Sequence, residues 1–231
     1  SESGSLDALV ESLRDPGVRA TILAEEDSVA TGDKYEGMGL LVAHMPAMVY
    51  PLDADLDYEP TADRTLAARA EATGSPPHEL FYDLMLEDDG RKLFVVPFFN
   101  YCAGDHSEIL EMMRHPATVP GLGDGGAPLA TLCDASMPTY QLTHGVKGRT
   151  RGPRLGLEEA VKMQTHDTAE LYGLLGDRGT IEAGKRADLN VIDLDRLALL
   201  PPRTVDDLPA GGTRLLQGAV GYVATIVAGV V

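Results

Sequence analysis

The hydrophobic pattern of this chain changes near residue 179, and this change constrains the fold more than any other feature. Before it, apolar residues recur at helical spacing in 5-SLDALVESLRDPGVRATILAEE-26 and 157-LEEAVKMQTHDTAELYGLLG-176. After it, 179-GTIEAGKRADLNVIDLDRLAL-199 and 213-TRLLQGAVGYVATIVAGVV-231 alternate apolar and polar residues between glycines. Such alternation is typical of strands. We therefore predict a strand-rich part over residues 179–231, after a helix-rich part over residues 1–178.

Shorter segments of the helix-rich part carry their own signals. Residues 62–74, 77–90 and 105–116 predict helices, and residues 92–101 predict a buried strand that is broken at Pro97. Residues 117–122 predict a short β-like run. In the last helical segment, Thr165 is expected to cap a second helix that closes near Gly173.

Composition excludes several classes of protein. The 231 residues carry 36 acids against 19 bases, a net charge of -17, and such a surface repels the phosphate backbone of nucleic acids. Two cysteines are too few for a disulfide framework, which indicates a reducing cytoplasm. The most apolar stretch, residues 218–231, is too short and too rich in glycine to span a bilayer.

One loop, 121-GLGDGGAPLATLCDAS-136, opens with a match to the dinucleotide-binding pattern G-x-G-x-x-G. No helical periodicity follows it, Val146 stands where an acid should hold the ribose, and Asp124 would repel a pyrophosphate. Glycines on both sides of Asp124 could instead aim its carboxylate into a cavity. Spacing alone leaves a second alternative open, an Asp-Gly turn in which the carboxylate binds its own backbone.

Wider motifs connect this loop to a known family. The loop, 165-THDTAELYGL-174, 177-DRGTIEAGKRADLNVIDLDRL-197, 208-LPAGG-212 and 221-GYVATIVAGVV-231 resemble the C-terminal half of the amidohydrolase superfamily. The likeness extends upstream through residues 81–101 and is greatest to the N-acyl-D-amino-acid deacylase (D-aminoacylase) branch. The phrase G-x-I-x-x-G-K-x-A-D-L is common across the superfamily, whereas DGGA and CDAS-x-P-T are narrower.

The resemblance implies an α/β fold: the C-terminal part of a metal-dependent (β/α)8 barrel, joined to a small β-sandwich made from both chain ends. Residues 1–178 would be a partial barrel segment with an insertion, the last barrel strand and the helices after it, and residues 179–231 would supply strands of the sandwich. It implies one or two zinc ions, an N-acyl amino acid as substrate, and a missing N-terminal half of the barrel as partner. Asp124 would bind the metal or lie beside it and act as general base, since a cation favours the ionised carboxylate. Pro128 departs from the pattern, because this branch usually carries histidine there.

Other candidate residues have simpler interpretations. The six histidines (His44, His78, His106, His115, His144 and His166) stand singly, without the H-x-H or H-E-x-x-H spacing of zinc ligands, and are expected on the surface or in the core. Cys102 and Cys133 are expected to be small buried residues. Glu158 and Glu159 favour a helix start. Asp134 could line the pocket, although a role as a loop cap is favoured.

Two functions are compatible with these sequence features. The chain could be the C-terminal portion of a zinc amidohydrolase that cleaves a C–N amide bond, or a non-catalytic or pseudoenzyme module with a structural or association role. We expect the isolated 231-residue chain to bind zinc weakly and to be inactive. Half a barrel would also expose strand edges, which favours a homo-oligomer.

Overall fold

A computed structural model describes residues 5–25, 44–97, 99–121, 123 and 132–231. Asp124 and Pro128 lie outside these described residues. The chain divides into two compact units, Ser1–Asp105 and His106–Val231. The sequence predicts a different boundary, between residues 178 and 179, which would separate the barrel from the sandwich. That boundary stays a prediction.

The described part of the first unit is mainly helical. Its α-helices are α1 (Leu6–Leu13), α2 (Pro16–Leu23), α3 (Leu66–Thr73) and α4 (Pro77–Met85). Short 3-10 turns cover Pro46–Met48, Ala62–Arg64 and Glu87–Asp89. Strands β1 (Tyr50–Pro51) and β2 (Phe94–Val95) form an antiparallel pair in which Tyr50 lies opposite Val95.

Local sequence explains where these helices begin. The Pro-Gly pair that interrupts the first helical segment also starts a new helix, because Pro16 suits a first turn and lacks an N–H to satisfy. Asp15 caps α2, since its carboxylate accepts hydrogen bonds from the backbone N–H groups of Gly17 and Val18. Thr65 caps α3 by accepting from the Ala68 N–H. Helix formation in both predicted segments is thereby confirmed.

Two predictions for the first unit need correction. Helix α4 ends at Met85 and a 3-10 turn follows, so Gly90 closes that turn instead of the α-helix. Gly90 has φ +74°, which side chains disfavour, and a Cβ there would lie 2.5 Å from Val10 Cγ2. Both the backbone conformation and the close contact therefore favour glycine at this position. Within the described residues, the strand predicted over residues 92–101 is shortened to β2. Pro97 has no N–H to donate to a neighbouring strand, so the strand ends before it.

The second unit combines helices with strands. Its α-helices are α5 (Ser107–Arg114), α6 (Met137–Tyr140), α7 (Leu157–Lys162) and α8 (Thr168–Leu171), with π-helical Gln141–Gly148 after α6 and Met163–Asp167 between α7 and α8. Short 3-10 turns cover Asp134–Ser136 and Pro209–Gly211. The strands are β3 (Leu189–Ile192), β4 (Ala198–Leu199), β5 (Arg203–Leu208), β6 (Gly212–Leu216), β7 (Ala219–Val220) and β8 (Tyr222–Ile226).

The strands of the tail lie where alternation predicts them, between residues 189 and 226. They pair antiparallel as β3 with β8, β4 with β7 and β5 with β6. Every sheet of the described residues is two-stranded, so the fold is a mixed α/β arrangement and the closed barrel is not shown. The described residues 117–121 form no strand, contrary to the sequence expectation.

Helices α7 and α8 are joined by the π-helical turn into one run. Thr165 therefore lies inside this run, and its hydroxyl donates to the Val161 carbonyl 2.7 Å away instead of capping a new helix. Gly173 follows α8 with φ +69°, which fits the predicted end. The core of the unit joins these helices to the tail through buried side chains of Leu110, Leu142, Leu155, Ala160, Met163 and Leu197.

Among the described residues, no helix has the length and apolar character that crossing a membrane requires.

Candidate functional site

A cavity of about 350 Å³ in the second unit contains the described residues nearest in sequence to Asp124. Gly121 and Gly123 form part of its wall. The other lining residues are His106, Ile109, Leu110, Met113, Pro120, Met137, Tyr140, Gln141, His144, Gly145, Arg149, Pro153 and Leu155. Ligand sites are commonly concave and mainly apolar with a few convergent polar groups, and this cavity has that composition.

The start of the Asp124 loop is held close to the segment that follows it. A Cβ at Gly123 would lie 2.4 Å from the backbone oxygen of Asp134, so a side chain at this position would collide with the chain. Glycine is therefore needed for close approach of two backbones, one step before the aspartate. Asp134 begins a 3-10 turn, and its carbonyl oxygen forms this close approach. Its expected role as a loop cap stays a prediction.

The motif CDAS-x-P-T attaches the helix after the loop to the strands of the tail. The Ser136 hydroxyl donates to Gln217 Oε1 at 2.6 Å, and Thr139 Oγ1 lies 2.7 Å from the Tyr222 hydroxyl. Pro138 lies in the first turn of α6, where its missing N–H costs no hydrogen bond. The motif thus positions α6, and with it Tyr140, against β8 and the residues before it.

Three aromatic rings lie together on the wall of the cavity. The Tyr140 hydroxyl is 2.9 Å from His106 Nδ1, and the Tyr140 ring stacks on His144 with centroids 5.2 Å apart and planes 13° apart. The His106 ring meets Tyr140 and His144 edge-on, at 6.3 and 5.4 Å. His144 belongs to the π-helical segment, and such segments are frequent at functional sites. Both histidines therefore take part in a cluster that their isolated positions in the sequence did not indicate.

The other sequence candidates divide into three groups. Asp124, with its predicted catalytic and metal-binding role, and Pro128 lie outside the described residues, so their interpretation stays a prediction. His44, His78 and His115 are exposed, as expected. Cys102 and Cys133 are free thiols, and Cys102 is exposed in the turn after Tyr101, which corrects the expectation of a buried residue. Burial, followed by the charge of Asp134, raises the pKa of the Cys133 thiol.

Glu159 has a structural role in the second unit. Its carboxylate accepts from the Gly156 N–H at the start of α7 and binds Arg114 of α5 with N–O distances of 2.7 and 3.0 Å. The hydrogen bond from Arg114 lowers the pKa of the Glu159 carboxyl. The prediction of a helix start at this acidic pair is confirmed, and the contact fixes α5 to α7 beside the cavity.

Imidazole nitrogens and carboxylate oxygens are donors that zinc accepts, so we compared two groups of side chains with its requirements. Ring nitrogens of His106 and His144 lie within 4.8 Å of one another at the cavity. Ligand atoms of His166, Asp167 and Glu170 also lie within 4.8 Å, but on a helix surface where Asp167 is bound by Lys162. His106 and His144 therefore offer the type of ligand atom that zinc binds. A catalytic zinc site has about three protein ligands, so it would need further donors beside these two histidines.

A larger cavity of about 640 Å³ lies between α7 and β3, and its lining residues include neither Gly121 nor Gly123. Its charged side chains bind one another: Asp188 lies 2.9 Å from Arg186 and 3.4 Å from Arg178. Asp188 also accepts a hydrogen bond from the Ala228 N–H at 2.8 Å, which holds the residues after β8 against Asp188. These contacts indicate a structural role for this acid and favour the smaller cavity as the candidate site.

Comparison with protein families decides the class of protein. The model of the amidohydrolase family matches residues 1–231. The chain belongs to the amidohydrolase family. Enzymes of this family act on small molecules and are generally metal-dependent, which agrees with the apolar cavity and the histidine donors in its wall. No solved structure matches the chain with statistical significance.

Curated relatives cover parts of the chain. An imidazolonepropionase of Agrobacterium fabrum is 36% identical over 85 residues, which are 36% of this chain and 20% of that protein. An imidazolonepropionase of Rhizobium meliloti is 28% identical over 192 residues, 70% of this chain and 46% of that protein. A 5-methylthioadenosine/S-adenosylhomocysteine deaminase of Moorella thermoacetica is 32% identical over 99 residues, which are 42% of this chain and 23% of that protein. The chain thus spans less than half the length of each of these relatives, and none of the three is a D-aminoacylase by name.

Proposed function

We propose that this chain supplies part of the active site of a metal-dependent hydrolase that cleaves the C–N amide bond of an N-acyl-D-amino acid, with zinc as the metal. Membership of the amidohydrolase family supports the reaction class. One relative is a deaminase by name, and deamination also breaks a C–N bond. The D-amino acid and the zinc ion rest on the sequence motifs, above all DGGA and CDAS-x-P-T.

One observation carries the proposal: Gly123, which immediately precedes Asp124 in the sequence, forms part of the wall of an apolar cavity that also holds three aromatic rings. A cavity of about 350 Å³ lies within the size range of small-molecule sites. A carboxylate at its edge would act on a substrate whose apolar part lies inside.

In the proposed reaction, the Asp124 carboxylate takes a proton from the hydrolytic water and later returns it to the departing amine. Such proton transfer needs a carboxylate that is ionised at neutral pH. Bound zinc would lower the pKa of a coordinated water to about 7 and favour the ionised form of a neighbouring carboxylate. In this proposal Asp124 would hold the ion, and His106 and His144 of the cavity wall are candidate imidazole donors.

The strand-rich tail has a supporting role in this proposal. Residues 179–231 would form the small β-sandwich beside the barrel, and their contacts with Ser136 and Thr139 would hold the helix that follows the catalytic loop. The non-catalytic alternative assigns the same contacts to a module without turnover. The two functions differ in their requirement for Asp124 and for a metal.

The proposal is tested by assaying the full-length protein with paired N-acetyl-D-leucine and N-acetyl-L-leucine and by measuring its metal content. We expect acetate and free D-leucine to form, with stoichiometric zinc and with activity that a chelator removes and zinc restores. Absence of hydrolysis of either enantiomer by protein that contains zinc would contradict the substrate assignment. Equal activity before and after complete removal of metal would contradict the metal-dependent mechanism.

A further inference from the structure

Tyr140 occupies a fixed position in the cavity. It is the last residue of α6, and its ring stacks on the imidazole of His144 and meets the ring of His106 edge-on. Its hydroxyl is placed by the 2.9 Å contact with His106 Nδ1. A ring that packs against two others loses little further freedom when a ligand binds, so the Tyr140 hydroxyl is pre-organised for recognition.

The rest of the wall is suited to an unbranched or lightly branched apolar group. Ile109, Met113 and Leu155 line the space together with Met137. Methionine side chains adapt to the shape of a ligand because they are flexible and polarisable. Gly121 and Gly123 present backbone without side chains on the side of the Asp124 loop. An apolar chain can therefore enter the cavity while the polar group that carries it stays beside Tyr140.

We infer that Tyr140 is a substrate-binding residue of this cavity, and that its hydroxyl hydrogen bonds to the amide group of an acyl compound whose apolar chain lies between Ile109, Met113 and Leu155. A phenol oxygen both donates and accepts, so it can contact His106 and an amide group at the same time. The inference rests on the proposed function in one respect, because the amide is taken from the proposed reaction. It adds a specificity-determining residue and an apolar acyl class.

Binding of simple primary amides to the full-length protein tests the inference without requiring turnover. The probes are acetamide, butanamide and hexanamide, titrated in NMR experiments. We expect the affinity to rise by about fourfold for each added methylene, because each one leaves water for an apolar wall. No detectable binding of hexanamide, or equal affinity for all three amides, would overturn the assignment of the cavity.

The role of the hydroxyl is tested with Tyr140→Phe, which removes one oxygen and keeps the stacked ring. Loss of a neutral hydrogen bond should weaken hexanamide binding by roughly three- to tenfold. The matched control is Tyr172→Phe, since Tyr172 is 71% exposed and lines no part of this cavity; its affinity should stay within about twofold of wild type. Unchanged binding by Tyr140→Phe overturns the inference.

A second variant keeps the test decisive if Tyr140→Phe is unstable. Ile109→Phe should narrow the cavity and weaken hexanamide binding by about tenfold while acetamide binding changes little, whereas equal effects on both amides would contradict an apolar chain at this wall. These results are separable from the proposed function. Hydrolysis without an effect of Tyr140→Phe on amide binding refutes the inference alone, and an effect on binding without any hydrolysis refutes the proposed function alone.

Discussion

The two units use polar side chains in opposite ways. In the first unit, Asp53, Asp55 and Asp57 come at alternating positions of one loop, and the guanidinium of Arg64 lies among them with N–O distances of 2.8 to 3.0 Å. In the second unit, Tyr140 and two histidines lie around a cavity of about 350 Å³. The carboxylates of the first unit surround the guanidinium of Arg64, whereas the side chains of the second unit surround an open cavity.

This difference separates a structural cluster from a functional one. Acids at alternating positions would suit a hard cation such as calcium, yet here the arginine fork takes that place and binds carboxylates from two directions. Arg69 and Lys92 also bind Asp53, so one carboxylate faces three cations. Charge density alone therefore does not mark the site of this chain. Space beside well-positioned polar groups is the better indicator.

The largest effect on stability is expected when Arg64 is replaced. Arg64→Met would leave Asp53, Asp55 and Asp57 close together without their shared guanidinium, and we expect the free energy of unfolding to fall by about 2–3 kcal/mol. Urea unfolding measures this change. The control is Arg91→Met, because the Arg91 side chain is 51% exposed and its contact with Asp7 spans 3.9 Å; it should cost less than about 0.5 kcal/mol. Equal costs for the two variants would contradict a structural centre at Arg64.

The Asp53 carboxyl should make stability depend on pH. Its hydrogen bond from Arg69, followed by those from Arg64 and Lys92, holds the pKa of Asp53 well below its usual range. Because the folded pKa is the lower one, ionised Asp53 stabilises the fold above about pH 4, and this stabilisation is lost as the pH falls further. Asp53→Asn should cost about 1–2 kcal/mol at pH 7 and progressively less below pH 4, as measured by urea unfolding. A cost that stays constant from pH 7 to pH 3 would rule out this linkage.

A smaller effect is expected at Lys147, which holds the π-helical segment of His144. The Lys147 ammonium donates to the carbonyl oxygens of Leu194, Asp195 and Leu197, the last two at 3.2 Å. Lys147→Met should lower the free energy of unfolding by about 1 kcal/mol, because the carbonyl oxygens of Leu194, Asp195 and Leu197 lose their shared donor. Lys162→Met, at a side chain that is 60% exposed, is the control and should cost less than about 0.5 kcal/mol. A loss at Lys147 no greater than this would show that the helix is held by packing alone.

Local signals in the sequence predicted much of the fold. The alternation after residue 179 indicated strands, and six strands lie there between residues 189 and 226. Pro77 and Gly74 act at the ends of predicted helices through their own backbone preferences, so no knowledge of tertiary contacts is needed to predict them. The helix that begins at Pro16 was not predicted, because the Pro-Gly pair indicated only an interruption. The Asp-Gly loop was identified for a similar reason, because glycines on both sides of an acid form a local pattern.

The aromatic cluster could not be predicted from local signals. His106 and Tyr140 are 34 positions apart, and their contact depends on how α5 packs against α6. Tyr140 and His144 are four positions apart, which was the one available signal for a shared helix face. The misassigned cap at Thr165 has a related cause: a π-helical turn continues the helix through a residue type that usually begins one.

Replacement of the aspartate in the loop tests the central claim most directly. In the full-length protein, Asp124→Asn keeps the volume and can still hydrogen bond within a turn, so the fold should be retained. Deacylation of N-acetyl-D-leucine should nevertheless fall by about 10²- to 10⁴-fold, because the general base is lost, and the zinc content should fall with it. Asp134→Asn, at an exposed aspartate ten positions later, should leave turnover within about twofold. If Asp124→Asn instead retains near-normal turnover and metal, Asp124 is a turn residue and the assignment of this cavity as the active site is wrong.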